Sequence, residues 1–291
     1  MTSEEFVEEV LNSEIKPDGF EELYQDFQHY QNLAFDTLKE FHRVCVKNQI
    51  RYQLAYGSLI GAVRDQGQIP WDYDIDVFVP YADKNKLVEA VKSDLDDHYY
   101  AWSPEIDPRC DHSLMRLAPK GYGSEALHVD VFYLIGIPDN LEEQKAFLKP
   151  VDKLYHARCA KMTNVYREAH GSLKKFFRIL YKEKIKYLDI SQVKAEAAFE
   201  QLCGKYPIDM SKYCAPATYG SELCIYETEK VLDTVPIVLQ GAELLIPRDY
   251  DSVLRGYYGD YTKIPPLEQR LKEMMRTYHK LLRYDQNKQA M

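Results

Sequence analysis

No Cys-x-x-Cys pair occurs in this chain. Its six cysteines, Cys45, Cys110, Cys159, Cys203, Cys214 and Cys224, stand at long, irregular intervals. That spacing excludes a zinc knuckle and a compact disulfide framework, and it predicts free, mostly buried thiols. His156 and Cys159 could share a helical face, but with no second pair nearby packing is favoured over zinc. Long apolar runs are missing as well. No uninterrupted stretch reaches the roughly 18 residues of a membrane span, and Met1-Thr2-Ser3-Glu4-Glu5-Phe6 is acidic where a secretory signal is basic. A cytoplasmic protein is expected. Basic charge is in deficit, with 37 Lys and Arg against 46 Asp and Glu for a net charge of −9. Such a field repels polyanions, so no nucleic acid is expected among the partners. Internal repeats and low-complexity tracts are also lacking.

What is present is an ordinary water-soluble composition, 45% hydrophobic and 29% charged over 291 residues. That length suits one catalytic core with an extension. Phe27, Tyr30, Leu33, Ala34, Leu38, Phe41 and Val44 recur at threes and fours and predict a long amphipathic helix over 24–50. Alternation then predicts a strand over 51–56. Gly57 and Ser58 form a turn into a short helix, 59–64, which Gly67 and Pro70 break. A strand over 74–80, a helix over 83–95 and strands over 99–102, 113–117 and 127–135 follow, with Gly121 and Gly123 in the last turn. Beyond Pro138 the pattern becomes helical, over 141–162, 172–188 and 192–206, with a short strand over 243–246 and a final helix over 267–284. The expected fold is α+β: a core over 24–138 with a mixed sheet, and a mainly helical extension over 139–291 that packs on it and contributes to donor and acceptor binding.

The chemistry is carried by acids. Asp74 and Asp76 are two apart on a predicted strand, so both side chains leave the same face with Cα atoms about 7 Å apart. Their mutual repulsion would be relieved by a hard divalent cation, Mg²⁺ or Mn²⁺, with phosphate oxygens completing the shell. Asp130 lies in the apolar strand His128-Val129-Asp130-Val131-Phe132, where a lone carboxylate is costly unless paired or metal-bound. It is the expected third ligand. Set against this, an isolated Asp-x-Asp is commonly a solvated edge or a turn. Gly57 and Ser58, at a strand-to-helix bend, offer N–H groups and a hydroxyl for phosphate, or a plain N-cap. Arg64 could neutralise donor phosphate; a surface role is equally open.

Tyr56-Gly57-Ser58-Leu59-Ile60-Gly61-Ala62-Val63-Arg64, followed by Ile69-Pro70-Trp71-Asp72-Tyr73-Asp74-Ile75-Asp76, resembles the signature of the LicD family, which includes the fukutin-related ribitol-phosphate transferases. Later matches are His128-Val129-Asp130-Val131-Phe132, Ile246-Pro247-Arg248-Asp249-Tyr250 and Tyr258-Gly259-Asp260-Tyr261, so the likeness spans about 50–270 and is weakest in the middle helices. The resemblance implies a nucleotidyltransferase core of the polymerase beta-like type. It also implies transfer of an alcohol phosphate, phosphocholine first, from a CDP-linked donor such as CDP-choline to a hydroxyl of a glycan or lipid-linked glycan, as in teichoic-acid or lipopolysaccharide precursors. On that reading Asp74, Asp76 and Asp130 are metal ligands, Asp72 is an additional acid, and Asp72 or Asp130 is the base. Tyr73 departs from the family, many of whose members carry Asp there. By alternation it faces away from the metal pair, so little loss of chemistry is expected.

A choline group would need an aromatic box. Trp71, Tyr73, Tyr133, Tyr257, Tyr258 and Tyr261 lie near the motifs, although aromatic rings mostly pack cores. The basic, amphipathic segment 171–188 reads equally as an interfacial helix resting on anionic membrane and as a core-facing helix with a solvated basic side. Two other functions remain open: nucleotidyl transfer from an NTP to a small molecule or protein, and a non-catalytic glycan- or partner-binding relative.

Overall fold

The computed structural model describes residues 1–107, 110, 113–123, 127–162, 192–218, 220 and 223–285. Its first helix, α1 (Ser3–Leu11), is opened by a capping box: the Thr2 hydroxyl accepts from the Glu5 N–H at 3.1 Å, and the Glu5 carboxylate accepts from the Thr2 N–H at 2.7 Å. Phe6 and Val10 on its apolar side are fully buried. The spacing at threes and fours produces the predicted long helix, α2 (Phe20–Lys47), with Phe27, Tyr30, Ala34, Leu38, Phe41 and Val44 all buried.

Strand β1 (Gln53–Leu54) is shorter than its alternating sequence predicts. Tyr56 takes a left-handed φ of 45°, which stops the extended chain and starts α3 (Tyr56–Ile60), continued by a π-type turn over Gly61–Asp65. A Cβ on Gly61 would sit 2.5 Å from the Gly67 carbonyl oxygen, so only glycine lets the two segments approach this closely.

Then come β2 (Ile75–Pro80), α4 (Lys84–Asp94), β3 (Tyr99–Trp102), β4 (Met115–Pro119) and β5 (Val129–Ile137), close to the predicted positions. Helix α5 (Leu141–Met162) has the predicted bounds, and α6 (Gln192–Cys203) ends earlier than predicted. The helix expected over 172–188, with its membrane-facing reading, lies outside the described residues.

The second half holds more strands than predicted: β6 (Tyr213–Pro216) and β7 (Tyr226–Glu227), then, after the short helix α7 (Thr228–Leu232), β8 (Thr234–Leu239) and β9 (Ala242–Pro247). Helices α8 (Tyr250–Tyr258) and α9 (Leu267–Tyr284) complete the order. β8 and β9 form a hairpin whose two-residue loop, Gln240-Gly241, has φ of 46° and 77°, the signs of a type I′ turn.

The main sheet runs β1-β2-β5-β4-β3, with β6 beside the later half of β5 and β7 beside β6. β2 and β5 are parallel and the other pairs antiparallel, so the sheet is mixed as expected. It crosses the predicted boundary at 138, because β6 and β7 come from beyond it. Ile75, Val77, Val79, Val129 and Val131 lie in the main core with the buried side of α2. A second apolar cluster, including Ile135, Ile137, Phe147, Leu148, Val151 and Phe199, fastens α5 and α6 to the end of β5. Among the described residues no helix is long and apolar enough to cross a membrane. Cys45, Cys110, Cys203, Cys214 and Cys224 are buried, as expected.

Candidate active site

Side-chain alternation sends Asp76 and Phe78 to the face of β2 opposite its valines, and Asp130 and Phe132 to the same face of β5. Register does the rest. Asp76 pairs with Asp130 across the parallel strands, Asp130 with Arg116 across β4, and Arg116 with Trp102 across β3. Two carboxylates and a guanidinium therefore stand in one row across three strands.

The row is electrically uneven. Arg116 Nε donates to Asp130 Oδ1 at 2.7 Å, and His128 Nε2 lies 3.3 Å from Asp130 Oδ2. Burial alone would raise the Asp130 carboxyl, but His128 and Arg116 outweigh it and hold it well below the usual carboxylate range. Asp76 behaves in the opposite way. Burial, then the charges of Asp130, Asp74 and Asp72, push it well above that range.

The chain leading into β2 brings the other acids. Asp72 Oδ1 accepts from the N–H groups of Tyr73 at 2.9 Å and Asp74 at 3.3 Å, folding its carboxylate back over its own turn. Burial and then Asp74 push Asp72 up to about 7. Gly57 lies alongside: a Cβ there would sit 3.3 Å from Asp72 Oδ2. Gln31 pins the loop from α2 by donating to the Ile69 carbonyl at 3.0 Å and the Asp72 carbonyl at 2.5 Å. Asp74 is exposed, the outermost of the four acids.

Several predicted residues do other work. Ser58 is no N-cap; Ala55 holds that position. The Ser58 hydroxyl accepts from the Asp76 N–H at 2.8 Å and lies 3.5 Å from the Asp74 carbonyl, tying α3 to the start of β2. Arg64 is engaged by the Asp65 carboxylate at 2.7 and 2.9 Å and by the Tyr261 carbonyl at 3.1 Å.

Trp71 is 6% exposed, with Phe6 at 5.5 Å and the guanidinium carbons of Arg64 and Arg270 at 5.8 and 5.2 Å from its ring, which leaves no face for a ligand cation. Tyr73 is buried too, yet its hydroxyl does not ignore the acids. Burial and then Asp74, with which it shares a hydrogen bond, push the phenol well above its ordinary value, and Lys280 donates to it at 3.2 Å. Facing away by alternation was therefore the wrong expectation for the hydroxyl, because Tyr73 precedes the regular part of β2.

Arg116 and His128 are the site residues that sequence reasoning left without a role. The signal for Arg116 was present in Met115-Arg116-Leu117: a single cation in an apolar strand needs a partner as much as Asp130 does. Oxygen-only acids suit a hard cation. Among the described residues, however, no three His, Cys, Asp or Glu side chains are gathered into a group that could hold a metal ion. Asp74 and Asp76 fit such a role by chemistry; Asp130, turned to Arg116 and His128, does not complete a trio with them.

A mixed α/β protein with an acidic row at the start of a parallel strand pair is thereby defined. Residues 49–158, which carry the whole row, match the family model described as LicD/FKTN/FKRP, nucleotidyltransferase domain. Over 250 residues the chain is 25% identical to the lipopolysaccharide cholinephosphotransferase LicD of Haemophilus influenzae, covering 82% of this chain and 92% of that protein. Two uncharacterised proteins, from Rickettsia prowazekii and Rickettsia typhi, are each 40% identical over 53 and 50 residues, covering 18% and 17% of this chain and 20% and 16% of theirs. Residues 49–158 thus carry a domain that matches the LicD family.

Proposed function

We propose that this protein is a transferase with a nucleotidyltransferase-type core that moves an alcohol phosphate, phosphocholine first among the candidates, from a CDP-linked donor to a hydroxyl of a glycan or lipid-linked glycan. The observation that carries the reading is the row Asp76–Asp130–Arg116 with Asp72 and Asp74 beside it, inside the stretch that matches the family model. The near-full-length likeness to a cholinephosphotransferase supports the choice of phosphocholine.

Asp74 and Asp76 would hold the divalent cation, Mg²⁺ or Mn²⁺, which when bound supplies positive charge to the donor's diphosphate. Arg116, paired with Asp130 at 2.7 Å, holds the middle acid of the row in place beside them. Of the two acids considered as base, Asp130 is already bound by Arg116 and His128. Asp72 is thus the group that accepts the acceptor's proton. The acceptor oxygen attacks the phosphorus that bears the alcohol, a new P–O bond forms, the anhydride P–O bond breaks, and CMP leaves with the bonding pair.

The test is release of CMP from CDP-choline, CDP-ribitol or CDP-glycerol in the presence of Mg²⁺ and a glycan acceptor. CMP from at least one donor is expected. No CMP from any of them, with pyrophosphate released from an NTP instead, would replace this reading with nucleotidyl transfer.

A further inference from the structure

We propose that Tyr257 and Tyr258, in the last turn of α8, form the seat of a quaternary ammonium group and determine which alcohol the donor carries. This deepens the proposed function and rests on it. Of the six aromatic residues close to the motifs, Trp71, Tyr73, Tyr133 and Tyr261 are buried, whereas Tyr257 and Tyr258 are 42% and 41% exposed. Their ring centroids lie 4.6 Å apart with planes at 86°, so the two rings make a corner rather than a stack. A corner of this kind can offer ring surface to one bound cation from two directions.

The corner stands on the acidic face of the sheet. Tyr257 packs 5.4 Å from Tyr56, whose ring lies 5.0 Å from Phe78 and 5.1 Å from Phe132. Phe78 and Phe132 are register partners two residues beyond Asp76 and Asp130, on the same face. Tyr257 also hydrogen-bonds the Cys224 thiol, which fixes the direction of its ring. The Tyr258 phenol is raised by burial and then by Asp76, Tyr257 and Asp72, which places it within electrostatic reach of the carboxylates.

The chemistry selects one class of alcohol. A trimethylammonium group has no N–H to donate, so it is held by ring faces and by diffuse negative charge, both of which meet here. A neutral polyol such as ribitol or glycerol gains little from ring faces and needs paired hydrogen-bonding groups.

Calorimetry in Mg²⁺ with CDP-choline, CDP-ethanolamine, CDP-ribitol and CMP tests the assignment, on the native protein, the pair Tyr257→Leu/Tyr258→Leu, the pair Tyr257→Phe/Tyr258→Phe, and Tyr250→Leu as an exposed tyrosine of the same helix away from the corner. CDP-choline is expected to bind tightest to the native protein. The leucine pair should lose on the order of tenfold in CDP-choline affinity with CMP affinity unchanged, while the phenylalanine pair and Tyr250→Leu keep the preference. If the leucine pair does not fold, the single Tyr258→Leu should show the same selective loss. A leucine variant that retains the preference, or that loses CMP and CDP-choline together, overturns this inference alone. A native protein that binds no CDP compound overturns the proposed function along with it.

Discussion

Asp76 and Asp130 face each other in register on the parallel strands β2 and β5, and it is Asp130 that Arg116 pairs with: Arg116 Nε lies 2.7 Å from its carboxylate. The pair is largely buried, with side chains 15% and 14% exposed. Removing one partner of such a pair strands the other charge and costs about 3–5 kcal/mol. Arg116→Met should therefore destabilise the protein by about that much, and Arg116→Met/Asp130→Asn should recover part of the loss. Urea denaturation of the native protein, both single variants and the double variant measures the coupling; strictly additive losses would show that the contact contributes nothing.

Asp72 titrates near 7 in the folded protein, against about 4 for a free carboxyl. Between those values the folded state holds a proton that the unfolded chain has released, so stability falls as pH rises through the window. Asp72→Asn removes this penalty while keeping an oxygen to accept from the Tyr73 N–H. The variant should melt a few degrees above the native protein at pH 8 and level with it at pH 4, both without divalent cation. Equal melting temperatures at pH 8 would refute the account.

The acids were legible because each breaks a pattern: Asp76 and Asp130 interrupt apolar alternation, and alternation is local. Their register was not. That Asp130 lies between Asp76 and Arg116 depends on which strands pair, and β2 pairs with β5 although β3 and β4 come between them in the chain. The two readings left open for Trp71 could not be separated for the same reason, since Phe6 from α1 and Arg270 from α9 reach its ring from opposite ends of the chain. The early end of β1 was also hidden, because 51–56 alternates well and the left-handed turn at Tyr56 accompanies ring contacts with Phe78, Phe132 and Tyr257. Strand β8 escaped because Pro236 interrupts it and its Gln-Gly loop is an uncommon hairpin pair.

Ser58 ties the strand that bears Asp76 to the helix beside it through one hydrogen bond, Asp76 N–H to Ser58 Oγ at 2.8 Å. Ser58→Ala leaves that N–H without its partner, at a cost of about 1–2 kcal/mol. The loss of activity should be larger than this stability loss accounts for, because the same bond positions Asp76; kcat is expected to fall on the order of tenfold or more. Ser58→Thr, which retains the hydroxyl, should restore most of it. A fall in stability with unchanged kcat would reduce Ser58 to a structural tie.

Asp76 is where stability and chemistry should part most clearly. Its carboxylate is half-buried beside Asp130, Asp74 and Asp72 and has been pushed far from its ordinary value, so the folded, cation-free protein carries the repulsion as a cost. Asp76→Asn removes one charge from that crowd and changes almost no volume. Its melting temperature without divalent cation should be equal to or above that of the native protein. CMP release from CDP-choline should fall by about a thousandfold, the scale seen when a group that stabilises transition-state charge is lost. Calorimetry should show in parallel that the native protein takes up Mg²⁺ in the presence of donor and the variant does not. A variant that is destabilised and still active would reverse both halves of the argument, making Asp76 a structural acid and moving the chemistry elsewhere on the sheet.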